Sequence, residues 1–343
     1  MYIWWKIFYE YTLKHGRTGR KRIMDLAKGD KVALVCCSNA QSLSKKKEIM
    51  QLKVVLEEVG FIPVFSKYLY QKGDLKEGEM ALEKLPEGGT PVEKASEFMG
   101  FYEDDSIKAI FDISGGDLAN TILPYLDYAR IASSKKQFWG YSDLTTVINA
   151  IYTKTQKTSV LYQIRNLLYE YSVQQKEDFI QTCFAKKRKD TVKKNSVKKV
   201  ESYKEYDESV TEETGLYQFP YRFCQGEAVE GIVVGGNIRC FLKLAGTEYF
   251  PDVTDKILLL EARSGNVAQI MTYFSQLEQL GAFKKVKGIL LGTFTQMERE
   301  QQMSGVYSLL KRYIDKTLPV VKTDYIGHGE DSKAIEIGRK YKF

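Results

Sequence analysis

Short apolar segments alternate with amphipathic segments along most of this sequence, and this alternation limits the possible folds more than any other feature. Segments 31–37 and 61–65 are apolar, and a helical spacing of apolar residues separates them at 44–59. Apolar runs of this length predict buried strands, whereas apolar residues three and four apart predict helices. Strands that alternate with helices form parallel sheets covered on both faces. The sequence therefore predicts an α/β fold.

The same alternation continues to residue 157 and returns after residue 225. In the first part we expect further strands at 107–113 and 137–139, and helices at 93–99, 118–128 and 144–152. In the second part we expect helices at 268–280 and 306–314, and strands at 231–236, 256–261, 286–292, 319–321 and 334–338. The last two of these strands are expected to close the second sheet.

Segment 158–224 interrupts the alternation. Basic residues are concentrated at 186–199, and acidic residues follow at 201–213. Neighbouring blocks of opposite charge are typical of a solvated helix or linker. We therefore expect four parts: an extension at 1–27, an α/β domain at 28–157, a connecting segment with a charged substrate loop at 158–224, and a second domain at 225–343.

Charge and cysteine content exclude several classes of function. Much of the net charge of +7 comes from the lysine-rich block, and no zinc-finger spacing or aromatic RNA-binding motif accompanies it, so no nucleic-acid partner is expected. Five cysteines without CxxC spacing argue against a disulfide framework and a zinc site, and they fit a reducing compartment. The N-terminal apolar stretch is interrupted by Lys6 and Glu10 and is too short to cross a membrane. These features predict a cytoplasmic protein.

Ser142 lies in a strand–turn–helix pattern, in the segment WGYSDL. This is the pattern of a nucleophile elbow, in which a sharp turn lifts a serine hydroxyl out of the edge of the sheet. The next residue, Asp143, begins the helix, so its backbone N–H could bind an oxyanion. The match to G-x-S-x-G is partial because Leu144 replaces the second glycine. The alternative is that Ser142 is an ordinary helix cap.

Gly115 and Gly116 follow another predicted strand, in the segment ISGGD. Glycines let the backbone approach a ligand closely and direct N–H groups at developing negative charge. The alternative is an ordinary tight turn capped by Asp117. Because the carboxyl ends of parallel strands meet at one edge of a sheet, we expect this turn to lie near Ser142.

His328 is one of two histidines, and the other, His15, lies in the charged extension ahead of the first strand. If Ser142 is a nucleophile, His328 is therefore its expected base. A base needs an acid that orients it, and Glu261 ends an otherwise apolar strand where a carboxylate is costly without a partner. A structural ion pair with Arg263 is the alternative role of Glu261. The other candidates for the acid are Asp143, Glu330 and Asp331.

With these segments in place, the chain resembles the serine peptidase family of LD-carboxypeptidases and microcin C immunity (MccF-like) peptidases. The resemblance runs from about residue 28 to residue 337. It rests on seven segments in the same order: KGDKVALVCCSNA, GGTPVEKASEF, IKAIFDISGGDLANTILPYLDY, WGYSDLTTVINAIYTKT, GGNIRCFLKLAGTEYFP, ILLLEARSG and IGHGEDSKAIEIG.

The resemblance implies a flavodoxin-like N-terminal domain, a β-rich α/β C-terminal domain and a catalytic triad at their interface. It assigns the triad to Ser142, Glu261 and His328. It implies an oxyanion hole formed by the N–H of Asp143 and that of Gly116 or Gly115, with no metal or cofactor. It also suggests a homodimer. The residues expected to contact substrate are Asp117, Asn237 and Tyr141.

The substrate class is less defined than the chemistry. The GGDLAN turn resembles the immunity peptidases more than the RGGYG turn of peptidoglycan-recycling carboxypeptidases, so an aminoacyl-nucleotide or peptidyl conjugate of an antibiotic is favoured over a muropeptide. All three tryptophans lie before the charged loop, so any aromatic stacking on a nucleotide would need Tyr169, Tyr217 or Tyr221. A binding protein without catalysis is the alternative of another class, and loss of activity in acid would distinguish an enzyme, because a protonated histidine cannot act as a base.

Overall fold

The computed structural model describes residues 26–71, 88–184, 209–211, 213–300 and 303–343. Most of the predicted extension, at 1–25, and the basic block at 186–199 lie outside the described residues. None of the helices in the described part is both long and apolar enough to cross a membrane.

Strands and helices alternate as the sequence pattern predicts. The described strands are β1 (Lys31–Val35), β2 (Ile62–Phe65), β3 (Ile107–Asp112), β4 (Gln137–Gly140), β5 (Ser159–Leu161), β6 (Ser209–Val210), β7 (Pro220–Gln225), β8 (Glu230–Asn237), β9 (Lys256–Ala262), β10 (Gly288–Phe294), β11 (Val320–Lys322), β12 (Ile335–Ile337) and β13 (Lys340–Lys342). The described helices are α1 (Lys46–Val59), α2 (Pro91–Glu103), α3 (Tyr128–Ser133), α4 (Thr145–Thr155), α5 (Ser172–Phe184), α6 (Ile238–Leu242), α7 (Val267–Gln279), α8 (Ala282–Lys285), α9 (Thr295–Arg299) and α10 (Met303–Leu310).

The first sheet has the strand order β12-β5-β4-β3-β1-β2. Strands β1 to β5 are parallel to their neighbours, and β12 is antiparallel to β5. The order β2-β1-β3-β4-β5 is that of flavodoxin-like folds, in which ligands bind at the carboxyl ends of the strands near the point where the order reverses. All residues of β4 are buried because helices cover both faces of the sheet.

The second sheet has the strand order β13-β8-β9-β10-β11-β7-β6. Its centre, from β8 to β11, is parallel, and antiparallel strands flank this centre on both sides. Strand β9 is apolar from Ile257 to Leu260 and then places the buried carboxylate of Glu261 at its carboxyl end. The predicted α/β class, with a flavodoxin-like domain and a β-rich second domain, is confirmed.

Two expectations about individual elements are wrong. Segment 334–338 does not close the second sheet, because β12 pairs with β5 of the first sheet. The predicted helix at 118–128 is a 3-10 turn at Ala119–Tyr125 followed by the separate helix α3, and Pro124 lies inside the turn. Segment 158–224 contributes strands to both sheets, since β5 extends the first sheet and β7 extends the second, and the domain boundaries expected around it stay a prediction.

Candidate active site

Ser142 follows β4 at the carboxyl edge of the first sheet. Its φ is +56°, in the left-handed region that residues with side chains rarely adopt. A Cβ on Gly140 would lie 2.6 Å from the Cβ of Leu144, so the absence of a side chain at Gly140 makes room for the tight turn. The turn therefore has the strained geometry of a nucleophile elbow, although Leu144 occupies the position of the second glycine.

His328 comes from the loop between β11 and β12 and reaches Ser142. Its Nε2 atom lies 3.0 Å from Ser142 Oγ, and its side chain is 2% exposed. The loop approaches β10 closely, because a Cβ on Gly327 would lie 2.0 Å from Thr293 Oγ1. Gly327 has a φ of +145°, which glycine adopts readily, and the backbone N–H of His328 donates to Thr293 Oγ1 at 3.4 Å.

Glu261 lies on the other side of the imidazole. Its Oε2 atom is 2.7 Å from His328 Nδ1, and its side chain is 2% exposed. Because a carboxylate only accepts hydrogen bonds, His328 donates from Nδ1 to Glu261, and its Nε2 is then available to take the proton of Ser142 Oγ. The three side chains can thus perform the proton transfers of a Ser-His-Glu triad.

The other candidates for the acid are engaged elsewhere. Asp143 accepts a hydrogen bond from Lys243 Nζ at 2.6 Å, and Glu330 accepts one from the N–H of Glu170 at 3.1 Å. Burial raises the pKa of Asp331, which disfavours the charged form that an orienting acid needs.

The two-glycine turn after β3 lies beside the serine. A Cβ on Gly115 would be 3.9 Å from Ser142 Cβ, whereas a Cβ on Gly116 would be 2.3 Å from Cγ of Asn39. The N–H of Asp117 donates to Asn39 Oδ1 at 3.0 Å, so this N–H is already engaged by a residue that follows β1. The turn can therefore present an N–H of Gly115 or Gly116 toward a group bound at Ser142, and the assignment between them stays a prediction.

The residues expected to contact substrate have different surroundings. Tyr141 packs on His328, with ring centroids 4.7 Å apart, and burial raises its pKa to about 12. Asn237 is buried and caps α6, accepting a hydrogen bond from the N–H of Cys240 at 3.3 Å. Asp117 is exposed and forms ion pairs with Arg239 and Lys243. The substrate role of these residues stays a prediction.

The tyrosines considered for stacking also differ in position. Tyr217 is 2% exposed within the core of the first domain and is not accessible to a substrate. Tyr221 packs edge-on against Phe343, with ring centroids 5.1 Å apart. Tyr169 is half-buried and donates to Glu48 at 3.1 Å. Tyr217 is therefore excluded, whereas Tyr169 and Tyr221 are both partly exposed and their contact with a substrate stays a prediction.

Several residues around this site were not singled out by the sequence pattern. Thr293 supports the histidine loop, and Ser38 and Asn39, after β1, contact Asp143 and the two-glycine turn. The sequence could have indicated Ser38 and Asn39, because they follow a predicted parallel strand whose carboxyl end lies at the same edge of the sheet. Arg239 and Lys243 come from the second domain, and no local pattern placed them here.

Comparison with known proteins identifies the family. Residues 32–162 match the LD-carboxypeptidase N-terminal domain of peptidase family S66, and residues 230–343 match its C-terminal domain. The putative carboxypeptidase YocD of Bacillus subtilis is 26% identical over 91% of this chain and 93% of its own length. The microcin C7 self-immunity protein MccF of Escherichia coli is 26% identical over 92% of this chain and 90% of its own length.

Solved structures share the fold. A structure of MccF in complex with glutamyl sulfamoyl guanosine has a TM-score of 0.71 and 24% identity, covering 93% of this chain and 94% of that chain. A muramoyltetrapeptide carboxypeptidase from Oxalobacter formigenes has a TM-score of 0.65 and 19% identity, covering 91% of this chain and 94% of that chain. The match to both domains of one family, in the predicted order, confirms the resemblance on which the sequence analysis relied. This chain belongs to the LD-carboxypeptidase family, peptidase family S66, and is a serine hydrolase.

Proposed function

We propose that this protein hydrolyses an amide-type bond through an acyl-enzyme on Ser142. The observation that carries the proposal is the position of His328 between the other two residues, with 3.0 Å from Nε2 to Ser142 Oγ and 2.7 Å from Nδ1 to Glu261 Oε2. This is the arrangement that general-base activation of a serine requires.

In this mechanism His328 takes the proton of Ser142 as Ser142 Oγ attacks the scissile carbonyl. The resulting oxyanion is stabilised by the N–H of Asp143 and an N–H of the two-glycine turn. His328 then gives the proton to the leaving nitrogen, so the amide bond breaks and an ester on Ser142 remains. Water, deprotonated by His328, hydrolyses this ester and restores the serine. The Glu261 carboxylate stabilises the imidazolium in both steps.

For the substrate, we propose an aminoacyl-nucleotide or peptidyl conjugate of an antibiotic, cleaved in the cytoplasm as a detoxification step. The support is the Gly115–Asp117 turn, whose sequence resembles that of the immunity peptidases, together with similarity to MccF along both chains. The second candidate is a muropeptide tetrapeptide in cell-wall recycling, favoured by the similarity to the muramoyltetrapeptide carboxypeptidase.

The test compares wild type and Ser142→Ala on an aminoacyl sulfamoyl-adenosine and on a muropeptide tetrapeptide ending in D-Ala. We expect wild type to cut the nucleotide conjugate and Ser142→Ala to lose activity by about 10⁶ in kcat. Ser44→Ala, at an exposed serine, is the matched control and should keep full activity. Chromatography with mass detection of the released products gives the measurement.

Each outcome assigns a function. Ser142-dependent cleavage of the muropeptide alone would replace the proposed substrate by the second candidate. Binding of either compound without cleavage by wild type would contradict the enzyme mechanism and favour a binding protein.

A further inference from the structure

Two cations of the second domain contact the backbone that borders Ser142. Helix α6 begins directly after β8, and its Arg239 donates from Nη2 to the carbonyl of Gly116 at 3.0 Å. Arg239 also pairs with the Asp117 carboxylate, and this hydrogen bond lowers the pKa of Asp117. Lys243, directly after α6, donates to the carbonyl of Asp117 at 2.9 Å. The carbonyls of Gly116 and Asp117 are therefore held by residues of the other domain.

A turn of two glycines needs such support. Gly116 has a φ of +127° and no side chain that would restrict its peptide groups. If the peptide that carries the Gly115 or Gly116 N–H rotated, its carbonyl would take the place of that N–H beside Ser142. The oxyanion would then meet negative rather than positive charge. Arg239 and Lys243 hold the two peptides that follow, those of the Gly116 and Asp117 carbonyls. These charge-assisted hydrogen bonds fix one end of the turn, and this restricts the backbone rotations by which the preceding peptide could turn over.

Lys243 also binds the residue after the nucleophile. The Asp143 side chain is fully buried and accepts hydrogen bonds from Lys243 Nζ at 2.6 Å, Ser38 Oγ at 2.7 Å and the N–H of Ala119 at 2.8 Å. A buried carboxylate is stable only when it is paired and hydrogen-bonded, and Lys243 supplies its cation. These bonds fix Asp143, whose N–H is the other expected oxyanion donor.

The end of β8, directly before α6, is anchored on the helix that follows Ser142. Asn149 of α4 donates to the carbonyl of Gly235 and accepts from its N–H, each at 2.9 Å. The N–H of Asn237 donates to Thr145 Oγ1 at 3.1 Å. The cations therefore project from a backbone held rigidly against the nucleophile helix, as preorganised support of a site requires.

We propose that Arg239 and Lys243 are positioning residues that keep the Gly115–Asp117 turn and Asp143 oriented for oxyanion binding. This inference rests on the proposed function, because it assigns the oxyanion donors to that hydrolysis. The two cations do not touch the reacting atoms; they act through the backbone of the turn and through the Asp143 carboxylate.

The test measures kcat and KM of Arg239→Leu, Arg239→Lys and Lys243→Met on the substrate that wild type cuts. Lys154→Met is the matched control, because Lys154 forms another ion pair between the domains, 2.6 Å from Glu248, away from the turn. Lys243→Met leaves the buried Asp143 without its cation and can unfold the protein, so Arg239→Leu, whose partner Asp117 is exposed, is the deciding variant.

We expect Arg239→Leu to lower kcat by about 10–100-fold, less than the loss of a whole oxyanion donor, while KM stays near the wild-type value. Arg239→Lys should recover part of the loss, because it keeps the ion pair but not the planar fork that also reaches the carbonyl. A kcat of Arg239→Leu equal to that of Lys154→Met, or a loss confined to KM, would overturn the inference. If wild type cuts neither substrate, the proposed function itself fails.

Discussion

At the scale of single residues, the site combines strain with burial. Ser142 is held at a φ of +56°, and the carboxylate of Glu261 is buried at the end of an apolar strand. Both features cost free energy, of the order of 1–3 kcal/mol for a strained backbone residue. They persist because the surrounding contacts determine them: the turn fits only beside Gly140, and Glu261 binds His328 at 2.7 Å.

Glu261→Gln tests the role of this carboxylate. An amide can donate to Nδ1 and so favours the wrong tautomer of His328, and we expect kcat to fall by about 10⁴ while the protein remains folded. Steady-state kinetics and circular dichroism give the two measurements. Glu336→Gln, at another buried glutamate that accepts from Gln137 at 3.0 Å, is the control and should keep activity. An equal loss in both variants would contradict a specific role for Glu261.

At the scale of elements, the helix after the nucleophile joins the two domains. Helix α4 is buried along most of its length, from Thr145 to Tyr152. Its Asn149 pairs with both backbone groups of Gly235 in the second domain, and a Cβ on Gly236 would lie 2.8 Å from Thr145 Oγ1. The glycines of β8 therefore let this strand approach α4 closely. Through this contact α4 positions both Ser142, which precedes it, and α6, which follows β8.

Asn149→Ala tests how much the contact between Asn149 and the backbone of Gly235 contributes to stability. It leaves the buried N–H and carbonyl of Gly235 without these partners, so we expect the free energy of unfolding to fall by about 2–4 kcal/mol. Urea denaturation followed by circular dichroism measures the change. Asn120→Ala, at an exposed asparagine, is the control and should change it by less than about 0.5 kcal/mol. A similar small change in Asn149→Ala would show that water replaces the lost bonds.

At the scale of the whole molecule, the last residues of the chain hold both sheets. Strand β12 completes the first sheet beside β5, and β13 pairs with β8 in the second sheet. The segment between them is short, with Gly338 at a φ of +90° where a Cβ would lie 2.5 Å from Cδ2 of Tyr152. This end of the chain therefore fixes the domains together in the arrangement that brings His328 to Ser142.

Stability should also depend on pH through Lys157. Burial, with a smaller effect from Lys136, lowers the pKa of Lys157 to about 8. In the unfolded chain a lysine has a pKa of about 10.4. Between these two pKa values the unfolded state therefore binds more protons, and the free energy of unfolding rises with pH. Below that window Lys157 is protonated in both the folded and the unfolded state, so its contribution to the free energy of unfolding does not change with pH.

The measurement is urea denaturation of wild type and Lys157→Met at pH 7.5 and pH 9.5. We expect wild type to gain stability relative to the variant as the pH rises through this window. Lys108→Met, at an exposed lysine of β3, is the control and should show no such change relative to wild type. Parallel pH dependence of wild type and Lys157→Met would contradict the lowered pKa.

The class of fold and the three central side chains could be read from the sequence with the family resemblance. Apolar periodicity is local, so it predicts β1, β3, β4 and β9 directly, and polar residues at the ends of such strands meet at one edge. The sequence predicts Ser142, Glu261 and His328 in this way, and the structure places His328 within hydrogen-bond distance of both Ser142 and Glu261. Because only one histidine lies outside the N-terminal extension, few other sets of three catalytic residues were possible.

Only the tertiary structure decided which distant segments meet. Segment 334–338 has the same local pattern in either sheet, and its pairing with β5 depends on contacts between residues more than 170 positions apart. Arg239 and Lys243 read as ordinary surface cations, yet the docking of α6 on α4 brings them to the turn beside Ser142. Periodicity reports which face of an element is buried, whereas the partner of each polar group is determined by packing between domains, since hydrogen bonds and ion pairs require specific distances in space.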